Sequence, residues 1–245
     1  MELKERVAIV TGCTKGIGRA ITERLIAEGM KVVGCARHAD ELDVMAARMG
    51  ESFLGIPADV RHKAECEGVV RRTLEHFGRL DVLINNAGVG IFKELHELTD
   101  EEWDQVMETN VTGLFYMTRA ALRHMYQQGE GYVINISSLA GKYGFPKGTV
   151  YCASKFAVNG LSESLFQEAR NYGVKVSYIC PGSVSTFFSG KDPSALPNEE
   201  RMWKIQPEDV AEVVVDLLTS SDHVLLSRIE MRPAMTKWKK PQPEG

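Results

Sequence analysis

The chain predicts an α/β protein: a doubly wound, mostly parallel sheet flanked by helices on both faces, in a single domain. Three observations predict it. Short apolar runs alternate with longer amphipathic ones almost from end to end. Several runs, such as Val7-Ala-Ile-Val10 and Asp81-Val-Leu-Ile84, show little polar alternation, the pattern of strands covered on both faces. Finally, no internal repeat, low-complexity tract or linker divides the 245 residues, a length that supports one large core.

Residues 7–10, 31–36, 52–56, 81–84, 132–136 and 174–179 read as strands, with a last one at 225–231. The helices between them have recognisable boundaries. Ile17, Ile21 and Leu25 recur at helical spacing, and Gly29 stands where a C-terminal cap belongs. Thr99-Asp-Glu-Glu102 forms a capping box before a helix carrying Trp103, Val106 and Met107. Pro207-Glu-Asp opens a helix through Leu218, with proline and acids where a first turn favours them. Residues 186–205 break the rhythm with Phe187-Phe188, Gly190, Pro193 and Pro197, and read as a substrate loop. The domain is expected to span residues 1–236, and the basic, proline-containing stretch 237–245 to be a flexible, solvated tail.

Composition narrows the possible functions. Hydrophobic content of 44% and charged content of 25% are those of an ordinary globular protein, and a net charge of −4 makes no electrostatic case for nucleic acid or an anionic membrane as partner. No stretch has the roughly 18 apolar residues needed to cross a bilayer. The N-terminal Met-Glu-Leu-Lys-Glu-Arg lacks a signal-peptide apolar region. The five cysteines, Cys13, Cys35, Cys66, Cys152 and Cys180, include no Cys-x-x-Cys pair, so neither a disulfide framework nor a metal site is expected. A reducing, cytoplasmic setting is the resulting expectation.

Two local features carry chemistry. The first strand runs directly into Thr11-Gly-Cys-Thr-Lys-Gly-Ile-Gly18 and then into a helix. Glycines let a backbone approach a pyrophosphate closely, and a helix N-terminus offers free N–H groups with partial positive charge. Further on, Tyr151 and Lys155 stand four residues apart, so on a helix their Cβ atoms lie roughly 5–6 Å apart on one face. A phenol has a pKa near 10, and work near pH 7 requires a fall worth about 4 kcal/mol. A cation about 4 Å away contributes on the order of 4 kcal/mol at an effective dielectric of 20, while burial acts in the opposite sense.

These motifs, with Asp59-Val60, Asn85-Asn-Ala-Gly88, Asn110, Ser138 and Pro181-Gly182 in order along nearly the whole chain, resemble the short-chain dehydrogenase/reductase family in its single-domain, Rossmann-type form. The step of thirteen positions from Ser138 to Tyr151 matches the family spacing. The resemblance implies that the turn from Gly12 through Thr14, Lys15, Gly16 and Ile17 to Gly18 holds a pyrophosphate and its adjoining ribose. It implies adenine contacts at Asp59 and Val60, and a cofactor trough lined by Asn86, Ala87 and Gly88. Pro181, Gly182, Val184 and Thr186 would touch the nicotinamide end. Tyr151 would be the acid/base, Ser138 would hydrogen-bond the substrate oxygen, and Lys155 would tune the phenol and hold the ribose. Asn110 would anchor a water in a proton relay.

At the end of the second strand stands Arg37, where an NAD enzyme generally carries Asp or Glu; an Arg there suits a 2′-phosphate. Lys15 would add a second cation, with Asp40 and Glu41 close by in sequence. The expectation is therefore an NADP(H)-dependent oxidoreductase acting on a small-molecule carbonyl or alcohol substrate. A cofactor-binding protein without turnover, or an epimerase or dehydratase on the same fold, stands as the alternative. Phe92, Tyr143, Phe145, Phe187, Phe188 and Trp203 are candidates to surround an apolar or aromatic substrate, or to pack in the core. The resemblance also implies a homotetramer or homodimer, with Phe156, Leu161, Leu165 and Phe166 as candidate apolar surface.

Overall fold

The computed structural model describes residues 1–186, 188 and 203–235. Phe187, most of the expected substrate loop and the expected tail at 237–245 lie outside the described residues.

Among the described residues, seven strands form one sheet: β1 Val7–Thr11, β2 Lys31–Ala36, β3 Phe53–Pro57, β4 Val82–Asn85, β5 Gly131–Ile136, β6 Val174–Pro181 and β7 Arg228–Met231. Their order is β3-β2-β1-β4-β5-β6-β7, and every neighbouring pair is parallel. Parallel strands need crossovers, and helices supply them: α1 Gly16–Ala27, α2 Ala39–Met49, α3 Lys63–Phe77, α4 Asp100–Met107, α5 Gly113–Gln128, α6 Thr149–Ala169 and α7 Pro207–Thr219.

Successive strand residues point to opposite faces, and both faces are covered. Ala8 and Val10 enter one core with Ile21 and Leu25 of α1 and Val210 and Val214 of α7. Ile9 enters the other with Val69 of α3, Met117 and Met125 of α5 and Leu165 of α6. That two-sided burial is why the strands read as unbroken apolar runs. The expected capping box is present at α4, with Thr99 and Glu102 exchanging side-chain-to-backbone hydrogen bonds of 3.1 and 3.2 Å.

Several expected strand edges shift by one to three residues, as where β4 covers Val82–Asn85 and β6 runs on to Pro181. The last strand begins at Arg228, not 225, because the Leu226 carbonyl is taken by the Ser177 hydroxyl at 2.8 Å and not by a ladder amide. The third begins at Phe53 because Ser52 belongs to a tight turn over Gly50–Ser52. Strand order reverses between β1 and β4, and the crevice at their carboxyl ends is where a doubly wound sheet accommodates ligands.

Candidate active site

The loop after β1 is built for close approach. Gly12 and Gly16 have φ of +65° and +52°, values at which a side chain is strained. A Cβ on Gly18 would lie 2.2 Å from the Gly12 carbonyl oxygen and 2.4 Å from Asn86 Nδ2. Asn86 braces this turn: its Nδ2 donates to the Thr11 and Gly12 carbonyls at 2.9 and 3.0 Å. In return the Thr11 hydroxyl accepts from the Asn86 and Ala87 amides, both at 2.9 Å. The N-cap residue Lys15 makes no side-chain capping bond to α1, so among the described residues the first amides are left without a cap. A cradle that side chains would fill, facing an uncapped helix start, fits a pyrophosphate. Thr186 passes over it, with its Cγ2 3.2 Å from where a Gly16 Cβ would be.

The charged residues around this cradle are more engaged than the sequence suggests. Lys15 Nζ lies 2.6 Å from the Glu41 carboxylate, so it is a paired cation and not a free one. Hydrogen bonds from Lys15 and Thr14 hold the Glu41 carboxyl below its ordinary range. Arg37 is exposed just past β2. The Asp59 carboxylate accepts from the Arg61 guanidinium at 2.7 to 3.1 Å and from the Arg61 amide at 3.0 Å, which keeps its pKa down. A carboxylate has about four lone-pair sites, so Asp59 retains acceptor capacity. Val60 is buried against Gly113.

Across the crevice, α6 carries Tyr151 and Lys155 on one face, with Lys155 Nζ 5.8 Å from the phenol ring centroid. Lys155 is buried and donates to the Ile136 carbonyl at 2.9 Å; burial lowers its pKa to about 8. Burial pushes the Tyr151 phenol up to about 12, against a smaller downward pull from a hydrogen bond with Ser138. Of the opposing influences that the sequence leaves open at this phenol, burial is the larger. Ser138 holds its own loop by accepting from the Ala140 amide at 3.1 Å.

Asn110 lies in a five-residue π turn, Glu108–Thr112, inserted between α4 and α5. Its Oδ1 accepts from the Val89 amide at 2.8 Å, and its Nδ2 donates to the Val89 carbonyl at 2.9 Å and to Ser154 Oγ at 3.0 Å. Ser154 in turn donates to the Tyr151 carbonyl at 2.7 Å. Asn110 thus ties the loop after β4 to the tyrosine's helix with both of its amide hydrogens used. Gly88 passes between them: a Cβ there would meet Asn110 Oδ1 at 3.3 Å and Lys155 Nζ at 3.8 Å.

Several supporting residues escape the sequence reading. Asn159 donates to the Gly141 carbonyl at 2.9 Å and accepts from Ser137, fixing the loop that carries Ser138. Asn135, likewise unread, donates to Ser162 at 2.9 Å and accepts at 2.9 Å from Asn85, the first residue of the Asn-Asn-Ala-Gly motif, which also donates to Thr118 at 2.8 Å. Their signal was available: Ser154, Asn159 and Ser162 are polar interruptions on the inward face of α6. Beyond β6, the Gly182 amide donates to the Met231 carbonyl at 2.8 Å. Val184 bridges Ile205, which pins both ends of the expected substrate loop. Of the aromatic candidates, Phe92 and Phe188 reach Tyr151, with centroids at 5.5 and 5.4 Å, and Phe145 lies 6.0 Å from Phe92. Tyr143 instead faces Lys142 and Arg232, and Trp203 faces Lys204.

Sheet order and glycine turn define a Rossmann-type domain. Residues 6–196 match the short chain dehydrogenase family, and the chain belongs to it. Among curated proteins it is similar to an uncharacterised oxidoreductase of Staphylococcus aureus (strain MRSA252), 36% identical over 94% of this chain and 98% of that protein. Among solved structures it is similar to an alcohol dehydrogenase from the archaeon Thermococcus sibiricus complexed with 5-hydroxy-NADP, at 29% identity and a TM-score of 0.87, covering 98% of this chain and 100% of that one. A serine dehydrogenase in a closed form with NADP+ is 32% identical at a TM-score of 0.86, covering 98% and 99%. The protein is accordingly an oxidoreductase of this family.

Proposed function

We propose that the protein is an NADP(H)-dependent oxidoreductase that interconverts a carbonyl compound and its secondary alcohol, with Tyr151 as acid/base. The observation that carries this reading is the Tyr151 phenol beside Ser138 and above buried Lys155, across the crevice from the glycine cradle. Solved relatives complexed with NADP or its derivative support the cofactor class, although one relative, from Burkholderia phymatum, is complexed with NAD.

In this reading the turn from Gly12 to Gly18 holds the pyrophosphate, Asp59 and Val60 the adenine, and Arg37 the 2′-phosphate. Lys15 joins Arg37 by exchanging Glu41 for the phosphate, whose charge of about −1.5 to −2 exceeds that of one carboxylate. Asn86, Ala87, Gly88, Pro181, Gly182, Val184 and Thr186 line the remaining trough. The bound nicotinamide supplies hydride in reduction and accepts it in oxidation.

Tyr151 donates its proton to the carbonyl oxygen while the Ser138 hydroxyl hydrogen-bonds that same oxygen as charge develops on it. A phenol held near 12 is fully protonated at pH 7, the form that reduction requires. Oxidation needs the phenolate, so that direction should rise with pH. Lys155 spends one N–H on Ile136, which leaves two donors for the ribose and the phenol. Asn110 fixes the π turn whose backbone orients the relaying water. The protein works in the cytoplasm as a homo-oligomer, with exposed Phe156 on α6 in the contact. Leu165 is removed from that surface because it is buried in the core.

The test is absorbance-monitored cofactor consumption over a carbonyl panel, with dissociation constants for NADPH and NADH. NADPH oxidation coupled to alcohol formation, with NADPH bound more tightly, supports the reading. Tighter binding of NADH overturns the cofactor assignment, and absence of turnover with every carbonyl overturns the reaction.

A further inference from the structure

We propose that the site takes aryl carbonyl compounds and that Phe92 seats the substrate's ring. The proposal rests on the carbonyl chemistry assigned to Tyr151 and adds its substrate class.

Phe92, Phe145 and Phe188 are 40%, 43% and 41% exposed, and they gather at the phenol. Phe92 is the hub. It meets Tyr151 at 5.5 Å and 69°, Phe188 at 6.5 Å and 63°, and Phe145 at 6.0 Å and 37°. Phe188 closes the set on Tyr151 at 5.4 Å and 54°. All four separations fall in the 4.5–7 Å range, with the edge-on or tilted geometries that aromatic pairs prefer. A substrate reaching the phenol must take over some of these ring contacts, and only another aromatic ring replaces them like for like.

Two glycines make room for the rings. A Cβ on Gly90 would sit 2.6 Å from Phe188 Cε1 and 2.9 Å from Phe92 Cζ; one on Gly148 would sit 2.5 Å from Phe145 Cε2. Among the described residues, the lysines flanking these rings in sequence offer little spare charge to recognise an ionic substrate. The nearby ammonium groups are paired, Lys93 with Glu102, Lys142 with Glu230 and Lys147 with Glu94. A neutral, flat, apolar group next to the carbonyl is what such walls fit.

The step balances with the proposed cofactor. Hydride from NADPH forms the new C–H bond at the carbonyl carbon, the carbonyl π bond breaks, and the Tyr151 proton goes to its oxygen. The products are a 1-arylalkanol and NADP+; solvent restores the proton to Tyr151.

The test compares acetophenone with cyclohexyl methyl ketone, similar in size and differing in aromaticity, by kcat/KM with NADPH. The parent should prefer acetophenone by about tenfold, the scale of an aromatic pair's added contribution. Phe92→Leu should bring that ratio close to unity, Gly90→Ala should lower it by moving the rings, and Phe92→Tyr should preserve it. Equal use of both ketones by the parent, or a ratio that survives Phe92→Leu, overturns the proposal. Should neither ketone be reduced, thermal shift with NADPH present decides the seat independently of the chemistry. A shift with acetophenone, absent with cyclohexyl methyl ketone and lost in Phe92→Leu, upholds the ring seat even if the reaction assigned to Tyr151 fails; equal shifts, or none, overturn it.

Discussion

Lys155 keeps its ammonium nearly out of water while donating to the Ile136 carbonyl, and burial moves its pKa from 10.5 to about 8. The folded chain therefore binds this proton more weakly than the unfolded one does. The cost is fully present below pH 8 and is relieved as pH rises from about 8 toward 10.5, so the group's contribution to stability improves over that window. The full shift corresponds to about 3 kcal/mol. Lys155→Met removes that cost but leaves the Ile136 carbonyl unpartnered, which returns about 1–3 kcal/mol. The variant's stability relative to the parent should therefore be highest near pH 7 and decline toward pH 10.5, as read by thermal melts across that range. A difference independent of pH would contradict the burial argument. At this scale the sequence makes the Tyr151–Lys155 pair visible through spacing alone, but not the sign of the tyrosine's shift. Solvent exclusion is a property of the assembled crevice, and it raises the phenol's pKa in a way that no residue spacing announces.

At the level of elements, the glycine turn and the π turn set the two walls of the crevice. Gly18 has no room for a methyl group, since a Cβ would stand 2.2 Å from the Gly12 carbonyl oxygen. Gly18→Ala should cost about 1–3 kcal/mol by overpacking and weaken NADPH binding, checked by chemical denaturation and fluorescence titration. Unchanged stability and affinity would contradict the close approach. The π turn at Glu108–Thr112 has no comparable signature in the chain. Its stretch continues the helical pattern from α4 into α5, and the insertion is stabilised by Asn110 reaching Val89 and Ser154, both distant in sequence. Strand cores were legible because two-sided burial imprints apolar runs. Strand ends were not, because Ser177 and the turn before Phe53 decide them through tertiary contacts. Likewise Arg61 and Glu41 compete for Asp59 and Lys15 in ways that no local motif announces.

Over the whole molecule, the site end of the sheet is balanced by an ionic lock at the opposite end. Buried Asp81 accepts from the Val7 amide at 2.8 Å, Arg6 at 2.7 Å and Arg79 at 2.6 and 2.8 Å. Burial alone would raise its pKa, but the hydrogen bonds from Arg79, Val7 and Arg6 prevail and hold it below the carboxylate range. A depressed folded pKa stabilises the fold above the unfolded value of about 3.9 and is lost as pH falls through the folded value. Asp81→Asn should cost about 1–3 kcal/mol near pH 7 and flatten the acid end of the stability profile, read by urea denaturation from pH 7 to pH 3. Equal acid sensitivity in parent and variant would contradict the lock. Because Asp81 joins β1 to the start of β4, this lock also supports the strand pair whose far ends form the crevice.

Proton and hydride transfer at one reaction centre is the central claim, and stopped-flow decay of bound NADPH on mixing with a ketone tests it most directly. Tyr151→Phe should bind NADPH as the parent does, yet slow the single-turnover decay by about 10²–10⁴-fold, the share general acid catalysis supplies. A Tyr151→Phe protein that consumes NADPH at the parental rate would contradict it.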